Sequence, residues 1–193
     1  MADPIEPKRR ATYEDLLNVP ESMVAEILEG ELYSQARPGG RHALSASALN
    51  SQLGGPFHFG RGGPGGWWIL FEPELHLDQD IAVPDLAGWK RERMPEVPDE
   101  VAFTVSPDWV CEVISPTTER LDRVRKLPYY ALHRVAHVWI VNPIARTLEV
   151  LGLEGERWVV IGTHGASEVV RAEPFEAVEV ELGLLWGETS APR

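Results

Sequence analysis

Apolar residues along this chain fall into two patterns, one typical of helices and one typical of strands. Between Arg41 and Leu53 they recur at helical spacing, which predicts one helix. Apolar runs of strand length predict strands at 67–71, 74–77, 81–89, 109–114 and 135–142. Because helices and strands are mixed along the chain in this way, we expect an α/β or α+β domain.

Turn and capping signals add shorter elements to this pattern. Thr12 followed by Asp15 resembles a capping box, which predicts a short helix after Thr12. Hairpins are predicted at 23–33 and at 147–161, where a glycine-containing turn joins two extended pieces. We therefore expect β-hairpins in addition to the main sheet.

A glycine-rich stretch at 54–66 separates the first helix from the strands that follow it. It lacks the lysine and hydroxyl residue that follow the glycines of a phosphate-binding Walker motif, since Trp67 and Trp68 come next. The composition predicts a flexible linker within the domain.

The length of 193 residues suits one domain with a substantial core. We predict a single domain at 12–188, a flexible N-terminal tail at 1–11 and a C-terminal tail at 189–193. No long apolar run or signal-peptide pattern is present in the sequence, and the single cysteine, Cys111, cannot form an internal disulfide. These features predict a cytoplasmic protein that does not act at a membrane.

The formal net charge of −12 argues against indiscriminate binding to nucleic acid, which depends on lysine and arginine. Between Glu119 and His137, however, basic residues outnumber acidic ones. Such a basic strip could contact phosphate groups, with Arg123 and Arg125 as candidate substrate contacts, or it could be a solvated helix face.

Two acidic residues lie in apolar segments, where a charge is costly. Asp85 follows Val83-Pro84, and Glu112 lies in the run Trp109-Val110-Cys111-Glu112-Val113. Burying an ionised carboxylate in a strand costs roughly several kcal/mol unless the carboxylate is paired or binds a metal. If the two strands are neighbours, the carboxylates converge and provide the oxygen ligands that Mg²⁺ or Mn²⁺ requires.

Simpler roles exist for both acids. Asp85 could close a turn after Pro84, and Glu112 could form a buried salt bridge with Arg123 or Arg125. Lys126 is the nearest lysine downstream of Glu112. It could orient a metal-bound water or stabilise developing charge, or it could be a solvated helix residue.

Several segments of the chain, in this order, resemble the Uma2 family of restriction-endonuclease-like proteins, a branch of the PD-(D/E)XK nuclease superfamily. The segments are Ala25–Leu32, His42, Val83-Pro84-Asp85, Glu112–Pro116, Asp122–Lys126 with Tyr130-Ala131, and Val138–Pro143. The resemblance implies a mixed central sheet flanked by helices, with Asp85 and Glu112 as metal ligands and Lys126 completing the site. It also implies Glu31 as an additional acid and His42 as a substrate contact.

The chain departs from the parent nuclease motif at the lysine. In that motif the lysine lies two residues after the acid, where this chain has Ile114, so Lys126 must reach the site from a helix predicted at 121–133. Pro128 lies in the same range, and a proline inside a helix costs about 3 kcal/mol. If the helix begins near Leu127 instead, Pro128 falls in its first turn, where proline is tolerated.

Two hypotheses for function follow. The first is a Mg²⁺-dependent endonuclease that hydrolyses DNA, in which Asp85 and Glu112 bind the metal and Lys126 assists the attack of water. The second is a catalytically inactive module that keeps the nuclease fold and serves in binding or interaction. In either case a homodimer is expected, because dimers are common for such folds.

Overall fold

The computed structural model describes residues 9–189. Most of the predicted tails, 1–8 and 190–193, lies outside this range, and the domain limits remain a prediction. At the beginning of the range Arg9 pairs with Asp15, and the Ala11 amide donates to the Gly30 carbonyl at 2.8 Å.

Helices and strands are mixed along the described chain, as the sequence predicts. The helices are α1 (Tyr13–Leu17), α2 (Gly40–Leu53), α3 (Glu119–Leu121), α4 (Leu127–Leu132) and α5 (Leu182–Leu185). The strands are β1 (Met23–Leu28), β2 (Glu31–Ala36), β3 (Trp67–Phe71), β4 (Glu74–Leu77), β5 (Asp80–Ala82), β6 (Leu86–Lys90), β7 (Ala102–Phe103), β8 (Trp109–Val113), β9 (His137–Asn142), β10 (Thr147–Glu154), β11 (Arg157–Gly165), β12 (Val169–Val170) and β13 (Val180–Glu181). None of the helices between residues 9 and 189 has the length and apolar character needed to span a membrane.

The strands form two main sheets and a small third one. A six-stranded sheet has the order β11-β10-β9-β8-β6-β3, in which β8 and β9 are parallel and the other neighbours are antiparallel. A five-stranded sheet has the order β2-β1-β5-β4-β7, and β12 pairs with β13. The two predicted hairpins are present as β1–β2 and β10–β11.

The core lies on both faces of the six-stranded sheet, because β8 is buried throughout and its side chains alternate. Trp109, Cys111 and Val113 belong to a cluster that includes residues of α2 and α5. Val110 and Ile114 belong to a second cluster, which includes residues of the five-stranded sheet and of α4. Glu112 therefore lies on the second face, where its neighbours along the strand are apolar.

The strand predicted at 81–89 is wrong in one respect, because the structure divides it between the two main sheets. β5 ends at Ala82 in the five-stranded sheet, and β6 begins at Leu86 in the six-stranded sheet. Pro84 has no amide hydrogen to donate to a sheet, which explains the interruption. Asp85 consequently lies in the crossing segment immediately before β6.

The glycine-rich stretch at 54–66, predicted to be a flexible linker, has regular structure at its beginning. Gly54–His58 forms a π-helical turn that continues α2, and the Phe59 amide donates to the Gly54 carbonyl at 3.0 Å. Phe57 is buried in the core, and this burial holds the turn in place. A loop without regular structure follows at 59–66.

The predicted basic helix is a continuous helical segment at 119–132, in which a π-helical turn at Asp122–Lys126 separates α3 from α4. In this turn the Leu127 amide donates to the Asp122 carbonyl, five residues earlier. Pro128 then lies in the first turn of α4, directly after the wider π-helical turn. The proline is thus accommodated without breaking the segment.

Candidate functional site

A cavity of about 500 Å³ is lined by parts of both main sheets, by the beginning of α2 and by the helical segment 119–132. Most of the acidic and basic candidates from the sequence face it. Its lining includes His42, Asp85, Glu112, Asp122 and Lys126. The larger part of the candidate site is therefore one continuous surface.

Asp85 and Glu112 are brought together by the pairing of β6 with β8. Leu86 pairs with Cys111 in this antiparallel register, so the preceding Asp85 comes opposite Glu112. The Asp85 carboxylate accepts a hydrogen bond from the Val113 amide at 2.7 Å, and its other oxygen lies 3.0 Å from His42 Nε2. Both contacts fix the orientation of the Asp85 carboxylate at the cavity.

Lys126 extends into the same site from the π-helical turn and is almost completely buried. Its Nζ lies 2.8 Å from Glu112 Oε1 and 2.9 Å from Glu26 Oε1. Nζ also donates to the Val83 carbonyl at 3.0 Å. Three acceptors thus surround an ammonium group that has three hydrogens, so the group is fully engaged by the protein.

Glu112 is held from a second direction by Tyr130, whose hydroxyl donates to Glu112 Oε1 at 2.5 Å. Tyr130 lies on α4, one turn beyond Lys126, so the helical segment supplies both donors. The carboxylate that reaches the cavity from β8 is therefore oriented by the helix that packs against it.

Acidic groups outnumber basic groups around Lys126. Four carboxyl groups, those of Glu26, Asp85, Glu112 and Asp122, lie near one ammonium group and one imidazole. Burial raises the pKa of the Glu112 carboxyl well above its usual range, Lys126 opposes this, and the neighbouring carboxylates raise it further. Burial alone would lower the pKa of Lys126, but Glu112, Glu26 and Asp122 raise it well above its usual range, so this amine stays protonated.

Asp122 is a further buried carboxyl group of the site, and its Oδ1 lies 3.7 Å from Lys126 Nζ. Burial raises the pKa of Asp122 from 3.8 to about 6, against the opposing effect of Lys126. The folded state therefore binds this proton more tightly than the unfolded state, and stability falls as the pH rises from about 4 to about 6.

We predict that the Asp122→Asn variant lacks this loss of stability. The free energy of unfolding of the variant minus that of the unchanged protein should rise by about 3 kcal/mol from pH 4 to pH 7, since one pKa unit corresponds to about 1.4 kcal/mol. Urea denaturation at a series of pH values measures the difference. The exposed Asp99→Asn change is the control, and the same pH profile for both variants would contradict the assignment.

Glu26 is a member of the site that the sequence interpretation did not select. It lies on β1, is buried, and accepts a hydrogen bond from the Val83 amide at 2.7 Å besides contacting Lys126. Glu26 lies in the apolar run Met23–Leu28, where a carboxylate is as costly as it is at Glu112. Asp122, four residues before Lys126, is the other buried acid of the site that is not among the residues predicted from the sequence.

Three predicted residues lie away from the main cavity. Glu31 is exposed at the beginning of β2, where its carboxylate accepts a hydrogen bond from the Tyr33 hydroxyl at 3.1 Å. Arg123 pairs with Glu149 at 2.7 Å and with Glu119 at 3.1 Å. The remaining one, Arg125, pairs with Glu29 at the surface.

The oxygen donors suit a hard divalent cation. No group of three histidine, cysteine, aspartate or glutamate side chains arranged to hold a metal is found in residues 9–189. Mg²⁺, however, is usually held by one or two carboxylates and keeps several waters, rather than being enclosed by protein. The side chains of Asp85 and Glu112 fit that requirement, and the excess negative charge favours a cation.

Comparison with known proteins identifies the family and the fold of the chain. The sequence model of the Uma2 family, described as "Putative restriction endonuclease", matches residues 10–184. A crystal structure from Anabaena variabilis, described as a "putative nuclease belonging to DUF820", has a similar fold with a TM-score of 0.69 and 18% identity. The match covers 92% of this chain and 98% of that one, which confirms the expected fold. No curated protein matches the sequence. The chain therefore belongs to the Uma2 family, as its motifs indicated.

Proposed function

We propose that this protein is an endonuclease that hydrolyses phosphodiester bonds of DNA with Mg²⁺ or Mn²⁺ bound by Asp85 and Glu112. The observation that carries the proposal is the pair of carboxyl groups at the cavity, buried Glu112 and partly buried Asp85, in a site where acidic groups outnumber basic ones. The family membership and the nuclease-like relative support the same class of reaction.

The residues of the site have separate roles in this proposal. Asp85, oriented by His42 and by the Val113 amide, and Glu112, oriented by Tyr130 and Lys126, present oxygens to the cation. When bound, the cation would supply charge stabilisation at the phosphate and a more acidic water. In hydrolysis the water oxygen forms a new bond to phosphorus as one P–O ester bond breaks, and the proton that the water gives up balances the proton that the leaving oxygen acquires.

Lys126 acts through Glu112 in this scheme rather than on the attacking water. Its three hydrogens face Glu26, Glu112 and the Val83 carbonyl, and its raised pKa keeps it from accepting a proton. It is therefore a positioning residue, whose positive charge holds the buried carboxyl groups of Glu26 and Glu112 close together.

The direct test is cleavage of a supercoiled plasmid by the purified protein. We expect nicking with Mg²⁺ or Mn²⁺ and none in EDTA, with isothermal calorimetry showing binding of the cation in the absence of DNA. Lowering the pH below about 6 should weaken cation binding, since protons then compete for the buried acids, Asp122 among them. A plasmid that stays intact with every divalent cation tried would exclude the proposal.

A catalytically inactive binding module is the second candidate, and the net charge of −12 favours it because phosphate-binding surfaces are basic. This candidate predicts that the protein binds its partner without cleavage in the presence of Mg²⁺. The position of Pro128 does not favour this candidate, because the helical segment accommodates the proline and Lys126 reaches Glu112.

A homodimer remains part of the proposal, since two copies would place two sites on the two strands of a duplex. Sedimentation equilibrium of the purified chain measures the mass of the particle directly. The cytoplasmic location likewise remains a prediction.

A further inference from the structure

A second groove, of about 350 Å³, adjoins the main cavity. The two share the lining residues Val24, Ser34, Gln35 and Thr117, so one leads directly into the other. A polymer strand that lies across Asp85 and Glu112 can continue into this groove without leaving the protein surface.

The groove differs from the main cavity in charge. The main cavity is lined by several acids, whereas the second groove carries Arg120 and Arg125. The one acid in its lining, Glu26, is buried and engaged by Lys126. The net charge of the chain is strongly negative, so a local cluster of arginines is a departure that favours an anionic occupant.

Arg120 is the arginine of this groove that is available to a ligand. It is exposed and, within residues 9–189, makes no hydrogen bond or ion pair. Its neighbours in the helical segment are engaged elsewhere, Arg123 by Glu149 and Arg125 by Glu29. A guanidinium group binds phosphate through two parallel hydrogen bonds, so Arg120 is suited to a phosphate that enters the groove.

The rest of the lining suits the remainder of a nucleotide. Tyr33, Leu121 and Val124 provide an apolar wall, and Val124 is 53% exposed although it lies in a helical segment. Ser34, Gln35 and Thr117 provide polar groups between this wall and the main cavity. The sugar of a nucleotide could rest on the wall while the phosphate faces the arginine.

We propose that this groove binds the nucleotide next to the scissile phosphate, and that Arg120 contacts the phosphate of that nucleotide. The inference rests on the proposed nuclease function, because it assumes that the scissile phosphate lies at Asp85 and Glu112. It adds a specific substrate contact that differs from the predicted contacts Arg123 and Arg125. Binding is therefore expected to depend on a phosphate beyond the one that is cleaved.

Binding is tested with the full chain, a fluorescent twelve-nucleotide duplex and Ca²⁺ in place of Mg²⁺, so that binding is measured separately from cleavage. The Arg120→Gln change is expected to raise Kd about tenfold near 0.1 M salt. It should also reduce the slope of log K against log salt by about 0.9, the value for one lost phosphate contact. Arg157→Gln is the matched control, since this exposed arginine lies on β11 and outside the groove.

Cleavage provides a second measurement, which compares DNA with the small diester bis(p-nitrophenyl) phosphate. The small diester has a scissile phosphate but no neighbouring one. The Arg120→Gln change should therefore lower kcat/KM for DNA about tenfold more than for the small diester.

The outcomes separate this inference from the proposed function. Binding with the expected difference between the Arg120→Gln and Arg157→Gln variants, but without any cleavage, would exclude the hydrolysis and support the groove. Equal effects of the two changes on Kd and on the salt dependence would overturn the assignment of Arg120. Absence of binding by the unchanged protein at low salt would overturn it as well.

Discussion

Changing Glu112 to glutamine is expected to lower the rate of metal-dependent DNA cleavage by on the order of 10²–10³-fold. The amide has the size of the carboxyl group, and its oxygen can still accept hydrogen bonds from Tyr130 and Lys126. The fold should therefore persist, while the negative charge offered to the cation is lost. Plasmid nicking under saturating Mg²⁺ measures the rate, and calorimetry measures the affinity for the cation.

The matched control for this change is Glu154→Gln, which removes the same charge from an exposed position at the β10–β11 turn. Its cleavage rate should equal that of the unchanged protein. Cleavage by the Glu112→Gln variant at the full rate would show that Glu112 has no part in the reaction.

Changing Lys126 to methionine is expected to lower the free energy of unfolding at pH 7 by about 3–5 kcal/mol, the usual cost of removing one partner from a buried ionic group. Methionine fills much of the same space, so the loss arises mainly from charge. Glu26 and Glu112 would remain buried without the ammonium group that lies within 2.9 Å of each. Urea denaturation followed by circular dichroism measures the change.

Acid should reduce this deficit, because protonated carboxyl groups no longer need the ammonium charge. Stability measured at pH 5 and pH 7 therefore separates lost charge from lost packing. The adjacent Arg125→Met change is the control, since Arg125 is a surface residue and its loss should have little effect. If both variants lose the same stability, the buried network around Lys126 is not a significant contributor.

The sequence singles out Asp85 and Glu112 for a physical reason, whereas their convergence holds only if the two strands are neighbours, as β6 and β8 are. A buried strand tolerates a carboxylate only under special conditions, and the alternation of side chains along Trp109–Val113 assigns Glu112 to one face. Glu26 lies in an equally apolar strand and can be singled out on the same physical ground. Glu31 is implied by the resemblance alone, and it lies at the surface.

Other features depend on contacts between distant segments and could not be predicted from local patterns. Arg123 pairs with Glu149 and Arg125 with Glu29, and both acidic partners are remote in sequence. The strand predicted at 81–89 is divided because its two ends pair with strands of different sheets, and Pro84 is the one local signal of the break. The direction of Lys126 depends on a π-helical turn, for which sequence gives no established signal.

The π-helical turn at Asp122–Lys126 makes the site sensitive to the length of the chain as well as to its composition. Each residue of an α-helix advances the side chains by about 100°, so deleting one residue of the turn before Lys126 would rotate α3 and Asp122 relative to Lys126 and α4. Lys126 and Tyr130, one turn apart, would keep their contacts with Glu112, while Asp122 would turn away from the ammonium group. In evolution, insertions and deletions at this turn should therefore be selected against even where substitutions are tolerated.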